Sequence, residues 1–156
     1  MLRVSKLADY GVMIVVKMAK SPTRLYSATE LVELTRLNLP TVRKILKLLS
    51  VNGVLKAKRG VEGGYLLSKA VNHISMVEII EAIDGPIAFT ECCVDDAHKC
   101  LTINCQMHAH WQIINQRVKG ALSHFMLSEL INNDQVLQNK DNKQSGYKQE
   151  INHYGG

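Results

Sequence analysis

Three observations predict a mainly α fold with a small β-hairpin. A short helix, a tight turn and an amphipathic helix occupy residues 28–51. Two apolar-rich runs, 54–58 and 64–68, flank a glycine-rich turn at 59–63. A long helical pattern then covers 106–131. Helix, short helix, turn, amphipathic helix and hairpin, in that order, make a winged helix-turn-helix. The expected architecture is that unit, with the hairpin as its wing, plus a long C-terminal dimerisation helix.

Residues 9–20 (DYGVMIVVKMAK) are apolar nearly all round, as in a buried helix, and Ser21-Pro22 ends it. Ser27-Ala28-Thr29-Glu30 has capping-box spacing: the hydroxyl can accept the Glu30 amide and the carboxylate can reach back. It opens a helix over 28–35, and Arg36 to Pro40 form the turn, with the proline suited to a first helical turn. In 40–51, Val42, Ile45, Leu46 and Leu49 recur at i, i+3, i+4 and i+7. Asn52-Gly53 stops that helix. Ser75-Met76-Val77-Glu78 is a second capping box, opening a helix to about Ile83 that Asp84-Gly85-Pro86 breaks. Trp111, Ile114, Val118, Leu122, Phe125 and Leu130 form one apolar stripe along 106–131. The division is a winged domain at 1–84, a cysteine-rich loop at 85–105, a dimerisation helix at 106–131 and a polar tail at 132–156, expected to be disordered.

Residues 1–70 carry 13 Lys/Arg against 4 Asp/Glu, whereas 71–131 carry 3 against 7. A basic N-terminal half is the footprint of a polyanion binder. The outer face of the 40–51 helix presents Thr41, Arg43, Lys44 and Lys47 to double-stranded DNA. Arginine can bond two guanine acceptors at once, and lysine reaches phosphates. At the hairpin tip Arg59 stands beside Gly60, where a tight loop can approach a backbone and place an arginine in the minor groove. No apolar run approaches the ~18–20 residues that span a membrane. No signal-peptide pattern is visible either, so the expected compartment is the cytoplasm, where thiols stay reduced. No catalytic constellation is present, so an enzyme is not expected.

Cys92, Cys93, Cys100 and Cys105 all fall within 14 residues, with none elsewhere. Thiolates bind soft metals and iron–sulfur clusters, and a loop lets them converge on one centre. Seven residues separate Cys92 from Cys100 and four separate Cys100 from Cys105, without the paired knuckles of most structural zinc sites. His108 follows Cys105 by about one helical turn. The pattern leans toward iron–sulfur, with a zinc-stabilised regulator or a thiol-redox or cluster-carrier protein as alternatives.

Three groups of residues together resemble the IscR/NsrR-type family of winged-helix iron–sulfur regulators. They are Leu7-Ala8-Asp9-Tyr10-Gly11, Arg59-Gly60 with Gly63-Gly64-Tyr65-Leu66-Leu67, and the cysteine loop, and the similarity spans about residues 1–131. Thr90-Glu91-Cys92-Cys93 and Trp111-Gln112-Ile113-Ile114-Asn115 look most similar to the branch regulating SUF iron–sulfur assembly operons. The resemblance implies a homodimer, a [2Fe–2S] cluster on three cysteines plus one other ligand, and promoter binding as repressor or activator. Cys100 and Cys105 match family ligands, and either Cys92 or Cys93 supplies the first. His108 matches the histidine of the isc-type branch, and Asp9 an aspartate that the nitric-oxide-sensing branch supplies from the other subunit. Arg43 stands where the isc-type branch carries an acid, so DNA sequence preference need not match.

Overall fold

The computed structural model describes residues 4–90 and 107–132. Its first helix, α1 (Lys6–Ala19), begins three residues before the expected Asp9, because the Ser5 hydroxyl accepts the Ala8 amide at 3.0 Å. Ala8, Gly11, Ile14, Val15, Met18 and Ala19 are its buried face. Lys6 and Asp9 are exposed, so the helix is one-faced rather than buried all round.

The bounds of α2 (Ala28–Thr35) are those expected. The Ser27 hydroxyl accepts the Glu30 amide at 3.1 Å, but the Glu30 carboxylate turns to the Arg24 guanidinium. Only half of the expected capping box forms. Arg36 closes α2 in the left-handed region (φ 61°, ψ 16°), as the one non-glycine residue with positive φ among the described residues. An L side chain held there costs about 1–2 kcal/mol. In α3 (Leu39–Val51) the Asn38 side chain accepts the Thr41 amide at 2.9 Å. Val42, Ile45, Leu46 and Leu49 are fully buried, as their spacing requires. Removing each from water is worth about 1.5–3 kcal/mol.

β1 (Leu55–Lys58) and β2 (Gly64–Leu67) pair antiparallel, with Leu55 opposite Leu67 and Lys58 opposite Gly64. Tyr26 bridges to Tyr65 through two backbone hydrogen bonds of 2.9 Å, anchoring the hairpin to the strand-like residue before α2. A β-carbon on Gly64 would lie 2.7 Å from the Tyr26 carbonyl oxygen, so the bridge admits only glycine there.

The second capping box is complete at α4 (Met76–Asp84): the Ser75 hydroxyl accepts the Glu78 amide at 3.3 Å, and the Glu78 carboxylate accepts the Ser75 amide at 2.9 Å. Lys69 donates to the same carboxylate at 2.6 Å. Burial alone would raise the Glu78 carboxyl, but the Lys69 and Ser75 hydrogen bonds and the Lys69 charge outweigh it and hold it below its ordinary 4.5. A carboxyl depressed in the fold contributes stability above its unfolded pKa, and loses it as pH falls through the folded value. Glu78→Gln is therefore expected to lower the melting temperature near pH 7. The difference from wild type should shrink below about pH 4, in thermal melts by circular dichroism. A gap that persists at low pH would assign the loss to geometry rather than charge.

The single helix expected over 106–131 is two pieces. α5 (His108–His124) ends at Phe125, whose backbone is extended (φ −85°, ψ 106°), and helix resumes over 127–132. Between them Met126 bridges to Ser75. The Phe125 carbonyl accepts the Met76 amide at 2.9 Å, and the Leu127 amide donates to the Ile74 carbonyl at 2.8 Å. Backbone groups paired across the chain cannot also serve a helix ladder. The bridge wins by seating Leu127, 0% exposed, in the core beside α1, α3 and α4. The expected stripe from Trp111 to Leu130 is thus split at Phe125. No described helix is long and apolar enough to cross a membrane.

Candidate nucleic-acid interface and sensor segment

The buried row of α3 fixes which side chains face out. Arg43, Lys44 and Lys47 are exposed, and Thr41 is half-buried at the helix's first turn. Arg59 and Gly60 are exposed at the wing tip. Gly60 has φ 125°, a conformation that side chains rarely adopt, and the Gly63 amide closes the turn on its carbonyl at 3.0 Å. Two further cations lie on β1, the strand between α3 and the wing tip. Lys56 and Lys58 are exposed and two residues apart on β1, hence on one face, opposite the uncharged Leu66 and Gly64. Their alternation was the signal for them in the sequence. Among the described residues, none of these cations takes part in an ion pair.

Cys92, Cys93, Cys100 and Cys105 lie outside the described residues. Of the two other candidate ligands, Asp9 is exposed in the first turn of α1, beside a groove of about 370 Å³ lined by Val4, Val12, Met76 and Ile80. His108 is half-buried as the first residue of α5. No group of three His, Cys, Asp or Glu side chains comes together among the described residues. The donor set of the chain, thiols with an imidazole or a carboxylate, suits an iron–sulfur cluster.

Both flanks of the cysteine segment are held. Glu81 Oε1 on α4 accepts the Ile87 amide at 3.1 Å and pairs with Lys119 Nζ of α5 at 2.8 Å. The Phe89 ring stacks on Trp111, centroids 6.4 Å apart and planes 21° apart. Asp84 accepts the Ser5 amide and hydroxyl at 3.1 and 2.5 Å, tying the end of α4 to the start of α1. Asn52, at the end of α3, donates from Nδ2 to the Leu48 and Ala82 carbonyls, both at 3.0 Å. One helix, α4, therefore meets α3 through Ala82 and, through Glu81, both Ile87 before the cysteine segment and Lys119 of α5 after it. Sequence reading singled out neither Glu81, Lys119 nor the Asn52–Ala82 contact, since polar pairs so distant along the chain leave no local pattern.

Comparison with known proteins agrees with this architecture. The family model Rrf2, described as an iron-dependent transcriptional regulator, matches residues 4–133. The transcriptional regulator IscR of Enterobacter sp. is 31% identical over 150 residues, covering 92% of this chain and 88% of that protein. IscR of Klebsiella pneumoniae is 30% identical, covering 87% and 83%. Among solved structures, the global cysteine regulator CymR of B. subtilis superposes with a TM-score of 0.65 at 24% identity, covering 85% of this chain and 98% of that one. T. potens IscR superposes with a TM-score of 0.62 at 19% identity, covering 85% and 88%. These relatives are transcriptional regulators and not enzymes, and the chain belongs to the Rrf2 family of winged-helix transcriptional regulators.

Proposed function

We propose that this chain is a cytoplasmic, homodimeric DNA-binding regulator that reads iron–sulfur status through a [2Fe–2S] cluster and controls iron–sulfur assembly genes. The observation that carries the reading is the confinement of all four cysteines to one segment, between a helix that contacts α3 and a helix with apolar side chains left exposed. Cys100 and Cys105, with Cys92 or Cys93, would hold the cluster, and His108 or the partner's Asp9 would complete it. Bound by these residues, the cluster would supply a reversible cross-link between them. Thr41, Arg43, Lys44 and Lys47 would face the major groove, with Arg43 suited to guanine.

Anaerobic purification, an absorption spectrum and an iron and sulfide assay test the reading. A brown-red protein with iron and sulfide in equal amounts is expected. A colourless protein holding zinc would replace the cluster with a structural metal.

Arg59 would enter the minor groove, since Gly60 beside it at the tip adds no side chain. Arg59→Ala is expected to weaken promoter binding by about 1–3 kcal/mol, measured by fluorescence anisotropy. Unchanged affinity would remove the wing from the interface.

A further inference from the structure

Three exposed cations that flank α3 in the chain are not used by the functional reading above. Lys56 and Lys58 share one face of β1, just after α3. Arg36 stands three residues before α3, at the turn from α2. The set brackets α3 at both its ends. All three are exposed, and none is in an ion pair among the described residues.

Arg36 is the most informative of the three. Its backbone is left-handed at φ 61°, where glycine fits without strain and a long side chain does not. Local stability alone therefore favours glycine, and the position instead carries a fixed positive charge. Its guanidinium makes no hydrogen bond among the described residues that would repay the strain. The first turn of α3, like that of α5, holds no acidic residue, whereas α1, α2 and α4 each carry one in theirs. At the other end, the residues paired with Lys56 and Lys58 across the hairpin are uncharged. Arg36 on one side of α3 in the chain, and Lys56 and Lys58 on the other, are thus exposed cations outside any ion pair among the described residues.

We infer that Arg36, Lys56 and Lys58 grip the DNA sugar–phosphate backbone on either side of α3, fixing the depth and angle at which the helix enters the groove. The ligand is duplex phosphate and the contacts carry no sequence information. Base reading is left to the outer face of α3. This inference rests on the DNA-binding reading and adds to it the residues that position the helix.

The test uses the full chain and a fluorescein-labelled, mixed-sequence duplex of about 30 base pairs, long enough for two half-sites a helical turn apart. Anisotropy titrations at several salt concentrations compare wild type with Arg36→Gly, Arg36→Lys and Lys56→Gln/Lys58→Gln. Each lost phosphate contact lowers the slope of log affinity against log salt by about one per subunit. Arg36→Gly is expected to show that shallower slope, an affinity lower on the order of tenfold, and a melting temperature no lower than wild type. Arg36→Lys should keep the slope, and the double lysine variant should lose about two per subunit. Unchanged slopes in folded Arg36→Gly and in the double variant would overturn the inference while wild type still binds. A lower melting temperature with an unchanged slope would assign Arg36 to the C-terminal carbonyls of α2 instead. A wild type with no salt-dependent binding would overturn the DNA-binding reading itself.

Discussion

Replacing Ile114 by glutamate is expected to convert a dimer to a monomer and to lower promoter affinity by about 10²–10⁴-fold. α5 has no buried residue, and Met107, Ile113 and Ile114 are 51%, 51% and 41% exposed. Trp111, Val118 and Leu122 are only half-buried. A helix that leaves this much apolar surface in one chain is an interface in want of a partner, and we propose that a second copy supplies it. Two-fold pairing would then present two α3 helices to a two-fold site. A monomer loses the effective concentration that the first bound half confers on the second. Ile114 points out of its own chain, so the substitution should leave the monomer's helix content intact. Sedimentation at micromolar concentration and circular dichroism check both halves. A wild type that sediments as a monomer, or a folded Ile114→Glu dimer with unchanged affinity, would contradict the proposal.

The local parts of this fold were legible in the sequence because local chemistry decides them. The spacing of Val42, Ile45, Leu46 and Leu49 fixed both the existence of α3 and its buried side. The Ser75–Glu78 box was visible because both of its hydrogen bonds join residues three apart. Its counterpart at Ser27 misled because a residue outside the box competes: the Glu30 carboxylate pairs with Arg24. The break at Phe125 was illegible on the same grounds. No glycine or proline marks it, and the pairing with Ile74 to Met76 that causes it lies about fifty residues away in the chain. The left-handed Arg36 was hidden because an arginine gives no warning of positive φ. The cationic face was legible as composition, and the structure adds which cations share a face. The cysteine cluster was legible only as a crowding of thiols, and its geometry falls outside the described residues.

A winged-helix fold does not specify a signal. CymR, described as a cysteine regulator, and T. potens IscR superpose on this chain almost equally well. Function on a shared fold is decided by the site grafted onto it, here the segment between α4 and α5. That segment carries four thiols, and its flanks are fastened to α4 by Glu81 and to α5 by the Phe89–Trp111 stack. α4 in turn accepts the Asn52 side chain at the end of α3. A change in the segment thus has a short mechanical route to the helix that would read DNA.

Cys100→Ala and Cys105→Ala are each expected to abolish the visible chromophore and to shift promoter affinity to the value of cluster-free wild type. Of the doubled pair, Cys92→Ala should do more harm than Cys93→Ala. Coupling is the ratio of promoter affinities with and without the cluster, typically about 1–3 kcal/mol for an allosteric protein. Glu81→Gln keeps every cysteine and the shape of the side chain but removes the charge that holds Lys119, while its amide oxygen can still accept from Ile87. It should therefore bind the cluster as wild type does and yet show a smaller affinity ratio. Asn52→Ala should reduce the ratio similarly by releasing α3 from α4. Anaerobic absorption spectra and promoter titrations on the six variants and wild type, each with and without cluster, give all the quantities needed. Full iron and sulfide in both Cys100→Ala and Cys105→Ala would place the cluster elsewhere. An unchanged ratio in Glu81→Gln and Asn52→Ala would mean that the signal bypasses α4, leaving the pairing of the two α5 helices as the element through which the cysteine segment acts.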